Sequence, residues 1–226
     1  MRVYGRNVVK GLLEKGIKIK KIYLQNSFND ELTSMIKEKD IPVSYLEKEK
    51  LDDMETGNQG IIAEINDYEY GDIGEINDGK VVILDHLEDP HNLGAIIRTC
   101  EAAGIKNIII PKDRSVRVTG VVYKTSAGAI LNVNIILVSN VVNAINYLKK
   151  IGYWIVGTDM DGTDYRKIDY TGKIGLIVGS EGKGISDLVS KNCDFVAKIP
   201  MNGEVNSLNA SVAAAIIIYE AMRSEL

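Results

Sequence analysis

From residue 80 onward, short continuous apolar runs alternate with segments of helical period. KVVILD (80–85), NIIIP (107–111), VNIILV (133–138), YWIVGTD (153–159), IGLIVGS (174–180) and FVAKIP (195–200) read as strands. Segments near 92–103, 119–127, 139–150, 185–191 and 207–224 read as helices. Uninterrupted apolar strands spaced by helices predict a parallel sheet covered on both faces. In such sheets ligands bind beyond the carboxyl ends of the strands, so the turns that follow the strands are where chemistry is expected. The first third is patterned differently. Residues 6–16 place Val8, Val9, Leu12 and Leu13 on one helical face and stop at Gly16. KIYLQ (21–25), a helical DELTSMIKEKD (30–40), PVSYL (42–46) and GIIAEI (60–65) follow, which predicts a small α/β unit. Residues 64–78 hold six acids, no base and two glycines and read as a connecting segment. The expected division is therefore a small domain over 1–66, an acidic linker over 67–78 and a larger domain over 79–226.

Composition agrees with one or two packed cores: 226 residues, 45% apolar and 26% charged. The longest strongly apolar run, Val212 to Ile218, is far short of a bilayer span, and the N-terminus lacks the apolar core of a secretory signal, so a cytoplasmic protein is expected. Cys100 and Cys193 form no C-x-x-C pair and are expected to be small core hydrophobes. Net charge is −4, which by itself argues against nucleic acid. Its distribution changes that picture. Residues 1–50 carry 11 Lys and Arg against 7 Asp and Glu, and between Lys106 and Lys124 five bases face only Asp113. Screening confines distant acids to within about 8–10 Å, so local basic surfaces can still hold phosphate.

Three turns stand out. The first, DHLEDPHNLGAIIRTCEAAG (85–104), offers Asp89-Pro90 or Asn92 as a helix start and Gly104 as its stop. Arg98 lies among Ala95, Ile96, Ile97 and Ala102, where a long cation is expected to seek a carboxylate or phosphate. His86 and His91 fit no metal-binding spacing and read as solvent-exposed or capping residues, so no metal site is expected. The second turn, IVGSEGKGIS (177–186), runs a strand into a loop with Gly179, Gly182 and Gly184. The order G-x-x-G-x-G is neither the dinucleotide fingerprint nor a phosphate-binding P-loop. Glu181, flanked by glycines, has little packing role to explain it. The third, KIPMNGEVNSLNASVAAAIIIYEAM (198–222), crowds Asn206, Ser207 and Asn209 at a helix start, where free N–H groups favour polar or anionic atoms. Beyond it Leu208, Val212, Ala215, Ile216, Tyr219 and Met222 make an apolar stripe that reads as core or subunit interface.

In order and content these turns resemble the three motifs of the SpoU (TrmH) family of RNA 2'-O-methyltransferases. The first motif is Asn92-x-Gly94-x-x-x-Arg98. The second is Gly179-Ser180-Glu181-Gly182-x-Gly184, and the third is Ile199-Pro200-Met201 followed by Asn206-Ser207-Leu208-Asn209-Ala210-Ser211-Val212. GRNVVKGLL (5–13) and GNQGI (57–61) resemble the N-terminal RNA-binding module of bacterial 23S rRNA guanosine 2'-O-methyltransferases, with Asn58 departing from the His usual at that position. The resemblance implies a homodimer whose larger domain is a parallel α/β SPOUT sheet with a C-terminal trefoil knot. It implies S-adenosylmethionine bound by Thr158, Gly179, Ser180, Gly184, Ile199, Met201 and Leu208. It implies a catalytic set of Asn92, Arg98, Glu181, Ser207 and Asn209, with Lys112, Arg114 and Arg117 holding RNA. Ribosomal RNA is the expected substrate, with tRNA or a noncatalytic RNA-binding role as alternatives. Arginine stays protonated at neutral pH, so Arg98 is expected to anchor a phosphate and lower the hydroxyl pKa, with Glu181 orienting it.

Overall fold

A computed structural model describes residues 1–77, 79–180, 184–204 and 207–225. Among them the chain forms two compact units. The first begins with β1 (Arg2–Tyr4), α1 (Arg6–Glu14), β2 (Ile19–Gln25), α2 (Leu32–Glu38), β3 (Val43–Leu46), α3 (Lys48–Met54) and β4 (Ile61–Ile65). Its sheet has the order β1-β4-β2-β3, with β4 antiparallel to both β1 and β2, and β2 parallel to β3. Val8, Val9, Leu12 and Leu13 are the buried face of α1, as their spacing predicts. Two elements escape the periodic pattern. Strand β1 is only three residues long, and α3, KEKLDDM, buries Leu51 alone.

The second unit contains β5 (Val81–Asp85), α4 (Pro90–Ala102) and β6 (Asn107–Pro111). The chain then forms α5 (Gly120–Thr125), and the segment 117–131 that carries it belongs to the first unit. The second unit resumes with β7 (Asn134–Val138), α6 (Val141–Lys150), β8 (Trp154–Asp164), β9 (Ile174–Gly179), α7 (Asp187–Ser190), β10 (Phe195–Lys198) and α8 (Ala210–Met222). Its six strands lie in the order β10-β8-β9-β5-β6-β7, and every neighbouring pair is parallel. The expected parallel α/β sheet is thus present, and all six strands end on one edge.

Burial explains why the sheet reads so clearly. Ile83, Ile109, Ile136, Ile155 and Ile177 are fully buried in one core cluster with Ala144, Ile145 and Leu148 of α6. Each such side chain contributes about 1.5–3 kcal/mol by leaving water. Cys100 is fully buried, and burial pushes its thiol up. Burial also pushes the Cys193 thiol up, to about 11, so neither is a ready nucleophile at neutral pH.

Helix α8 packs on α4 and β9, but through a different face from the stripe picked out in the sequence. The inward residues are Ala210, Ala214, Ile217, Ile218, Ala221 and Met222. Of the stripe, Met222 alone is buried, while Val212 and Tyr219 are 48% and 47% exposed. The helix is apolar on both sides, so periodicity could not choose between them.

Candidate active site at the carboxyl edge of the parallel sheet

Strands β5 and β9 are neighbours in register, with Asp85 opposite Gly179, so the first two turns of interest emerge side by side. The loop after β9 is pinched shut at its base. Ser180 N–H donates to the Gly184 carbonyl at 3.1 Å, and Gly184 N–H donates back to the Ser180 carbonyl at 3.0 Å. A Cβ on Gly179 would stand 2.0 Å from the Gly184 carbonyl carbon and 2.4 Å from Ile185 N. Only glycine permits that approach. Gly184 itself has φ +65, in the left-handed region that glycine enters without strain. Glu181 and Gly182, expected in this loop, lie outside the described residues.

The sequence treats Asp85 as no more than the end of a strand. In the structure its carboxylate is buried and committed twice: Oδ2 accepts from Ser186 N–H at 2.8 Å, and Oδ1 lies 2.6 Å from His86 Nδ1. Asp85 therefore ties the end of β5 to the far side of the glycine loop. His86, expected to be exposed or capping, is instead half-buried against this carboxylate, with φ +59. No local signal announces the Asp85–Ser186 bond, because its partners are 101 residues apart.

The turn after β5 leads into α4, and the structure settles how that helix starts. Asp89 is the N-cap, accepting from His91 N–H at 3.0 Å, with Pro90 in the first turn. Asn92 is not the cap. It is buried, and its Oδ1 accepts from Asn209 Nδ2 at 3.0 Å. Asn209 in turn caps α8, its Oδ1 accepting from Ser211 N–H at 2.9 Å and Ser211 Oγ at 2.6 Å. One amide pair thus joins the starts of two helices and brings the first and third motifs into contact. Asn206 lies outside the described residues, and Ser207 is exposed just ahead of this junction.

Arg98 is placed differently from its expected partners. It is exposed on α4 and makes no ion pair with a described carboxylate. A cavity of about 680 Å³ opens at the same edge, lined by His86, Asn92, Arg114, Ser180, Gly184 and Ser186 among others. Arg114 is the basic residue that reaches it; Lys112 is exposed in the same turn, and Arg117 belongs to the first unit. Thr158 lies on β8, its Oγ1 donating to the Ile177 carbonyl at 3.1 Å. Ile199, Met201 and Leu208 are half-buried along the segments between β10 and α8. These residues line no part of the 680 Å³ cavity.

Chemically, the edge offers a glycine cradle of closely spaced backbone N–H and C=O groups, half-buried apolar side chains and neutral amides. That donor set suits an adenosine-bearing cofactor with an apolar and a polar part, and the absence of a Cβ at Gly179 lets the Gly184–Ile185 backbone close against the strand end and fix the shape of the loop base. Among the described residues no group of three or more His, Cys, Asp and Glu could hold a metal ion, and no helix is long and apolar enough to cross a membrane.

Comparison with known proteins agrees with this arrangement. Residues 79–219 match the SpoU rRNA Methylase family, and residues 2–71 match a family described as RNA 2'-O ribose methyltransferase substrate binding. A Staphylococcus saprophyticus protein assigned to the TrmH family of tRNA/rRNA methyltransferases is 43% identical over 98% of this chain and 94% of its own. The structure of an AdoMet-bound rRNA methyltransferase from Sinorhizobium meliloti superposes with a TM-score of 0.84 at 26% identity, covering 100% of this chain and 87% of that one. The SpoU methyltransferase AviRb from Streptomyces viridochromogenes shares the fold at a TM-score of 0.85 and 24% identity, over 99% and 89% of the two chains. The chain belongs to the SpoU/TrmH family of RNA methyltransferases, which use S-adenosylmethionine.

Proposed function

We propose that the protein methylates a ribose 2'-hydroxyl of RNA, with a guanosine of 23S rRNA as the target. The observation that carries this reading is the Asn209–Asn92 hydrogen bond, which assembles two separated motifs beside the glycine cradle. When bound, S-adenosylmethionine supplies a methyl group on a positively charged sulfur. Gly179, Ser180 and Gly184 hold it by backbone groups, with Thr158, Ile199, Met201 and Leu208 around it. Ser207 and Asn209 position the ribose. Asn92 holds Asn209 in place.

Arg98 binds the phosphate next to the target ribose and lowers the hydroxyl pKa through its charge, with Glu181 orienting it. A guanidinium is protonated at neutral pH and cannot serve as the base. Lys112, Arg114 and Arg117 add phosphate contacts. Arg98→Lys keeps the charge but loses the planar fork, so turnover is expected to fall about 100-fold while S-adenosylmethionine affinity, read by calorimetry, stays unchanged. Full turnover in that variant would remove Arg98 from this role.

The substrate is tested by incubating the protein and labelled S-adenosylmethionine with unmodified 23S rRNA and with tRNA, then mapping alkali-resistant ribose linkages. Label at a guanosine of 23S rRNA is the expected result. Label in tRNA alone would transfer the reading to that substrate, and no label in either would sink it.

The homodimer that this family reading implies has a natural seat on α8. Val212 and Tyr219 are exposed there, with Ala215 and Ile216 half-buried between them, a contiguous apolar face of the kind that marks an association site. Val212→Glu is expected to raise the dimer dissociation constant at least about tenfold, measured by analytical ultracentrifugation. A variant that sediments as the unaltered protein does would rule this face out.

A further inference from the structure

The first unit has a cavity of its own, about 440 Å³, lined by Arg6, Gln25, Lys48, Asp52 and the loop Gly57–Gly60. The loop has a built interior. Asn58 is buried, its Nδ2 donating to Asp52 Oδ1 and the Glu55 carbonyl at 2.8 Å each, while its Oδ1 accepts from Gly60 N–H at 2.7 Å. These bonds fix the loop so that Gln59 sits exposed at its tip with φ +60. Asn58 is thus a scaffold residue, and its neighbour faces out.

Arg6 is held in one orientation. Its Nη1 pairs with Asp30 Oδ2 at 3.0 Å, its guanidinium carbon lies 5.3 Å from the centre of the Phe28 ring, and its backbone N–H donates to Gln59 Oε1 at 3.0 Å. One face of the guanidinium is covered by the ring, and the side chain is still 50% exposed. A planar cation fixed in this way is a stacking platform for a nucleobase. Gln25 spends its amide N–H on Ser27 Oγ at 2.9 Å, leaving its carbonyl oxygen as an acceptor. Gln59 spends its carbonyl on Arg6, leaving its amide as a donor. Lys48 is exposed and forms no ion pair with a described carboxylate.

We propose that this cavity takes a single unpaired RNA nucleotide, its base stacked on the open face of Arg6 and met by Gln25 and Gln59, its phosphate held by Lys48. The inference rests on the substrate-binding reading of the first unit and names where in that unit RNA is gripped. A base inside a duplex cannot enter a concave site, so the site selects bulged or looped nucleotides. One donor and one acceptor complement many base edges, so it discriminates between bases weakly.

The test is fluorescence anisotropy on the full chain with two labelled RNA hairpins that differ only in one bulged nucleotide. The bulged hairpin is expected to bind about tenfold more tightly. Arg6→Lys, which keeps charge and loses the plane, is expected to erase most of that preference. Lys48→Ala is expected to reduce the slope of log affinity against log salt by about 0.7. Amides of residues 57–59 in the unaltered protein are expected to gain hydrogen-exchange protection when the bulged hairpin is added, a readout that needs no variant to fold. Equal binding of both hairpins, an Arg6→Lys variant that keeps the preference, or no protection at 57–59 would each overturn the proposal. Calorimetry with S-adenosylmethionine separates this from failure of the methyltransferase reading, because the cofactor site shares no residue with this cavity.

Discussion

Gly179→Ala is expected to abolish S-adenosylmethionine binding, weakening it at least about 100-fold in calorimetry while far-ultraviolet circular dichroism shows the sheet intact. The added Cβ would lie 2.0 Å from the Gly184 carbonyl carbon, 2.1 Å from its oxygen and 2.4 Å from Ile185 N. All three are backbone atoms, so no rotamer change relieves the contact. The chain must open the paired hydrogen bonds between Ser180 and Gly184, and those bonds shape the cradle. Overpacking of this kind costs about 1–3 kcal/mol, which the domain survives and the loop does not. Binding within a few-fold of the unaltered protein would show that the cradle is not where the cofactor sits.

Asp85→Ala is expected to destabilise the protein by about 2–3 kcal/mol in urea unfolding and to slow methyl transfer as well. The carboxylate accepts the Ser186 N–H at 2.8 Å and lies 2.6 Å from His86 Nδ1. Its removal leaves the Ser186 N–H and the His86 ring without their partner, and an unmet buried donor carries its full desolvation cost. It also releases the end of the glycine loop from β5. Asp85→Asn retains an oxygen for Ser186 and is expected to recover at least half of the lost stability. If Asp85→Ala unfolds within about 0.5 kcal/mol of the unaltered protein, the pairing is ornamental.

The sheet was legible in the sequence because β5, β6, β7 and β9 and the first half of β8 are continuous apolar runs, a pattern that follows from burial on both faces, whereas the second half of β8 is polar and largely exposed. Strand β1 and helix α3 were not, since three residues are too few for a period and KEKLDDM has one inward position. On α8 the two apolar faces could not be told apart, because Ala214 and Ile217 look no more apolar than Val212 and Ile216 until α4 and β9 are in place. At the site, the glycines and asparagines were visible as residue types out of keeping with packing. Choosing Asp89 over Asn92 as the cap required knowing that Asn209, 117 residues away, claims Asn92. The Asp85–Ser186 hydrogen bond was missed for the same reason, its partners lying 101 residues apart.

The strand order has a consequence for how the molecule is made. β5 pairs with β6 on one side and with β9 on the other, and β9 is completed only at Gly179. During synthesis one hydrogen-bonding edge of β5 therefore stays uncovered while the 94 residues from His86 to Gly179 are added, the last 41 of them after the β5, β6 and β7 ribbon is complete at Val138. Unpaired edges of apolar strands recruit other chains, and pairing across so long a stretch of chain is slow. The central position of β9 thus makes the strand that leads into the glycine loop also the piece that joins β8 to β5, and a nascent chain stalled before it carries an aggregation hazard that the finished protein hides.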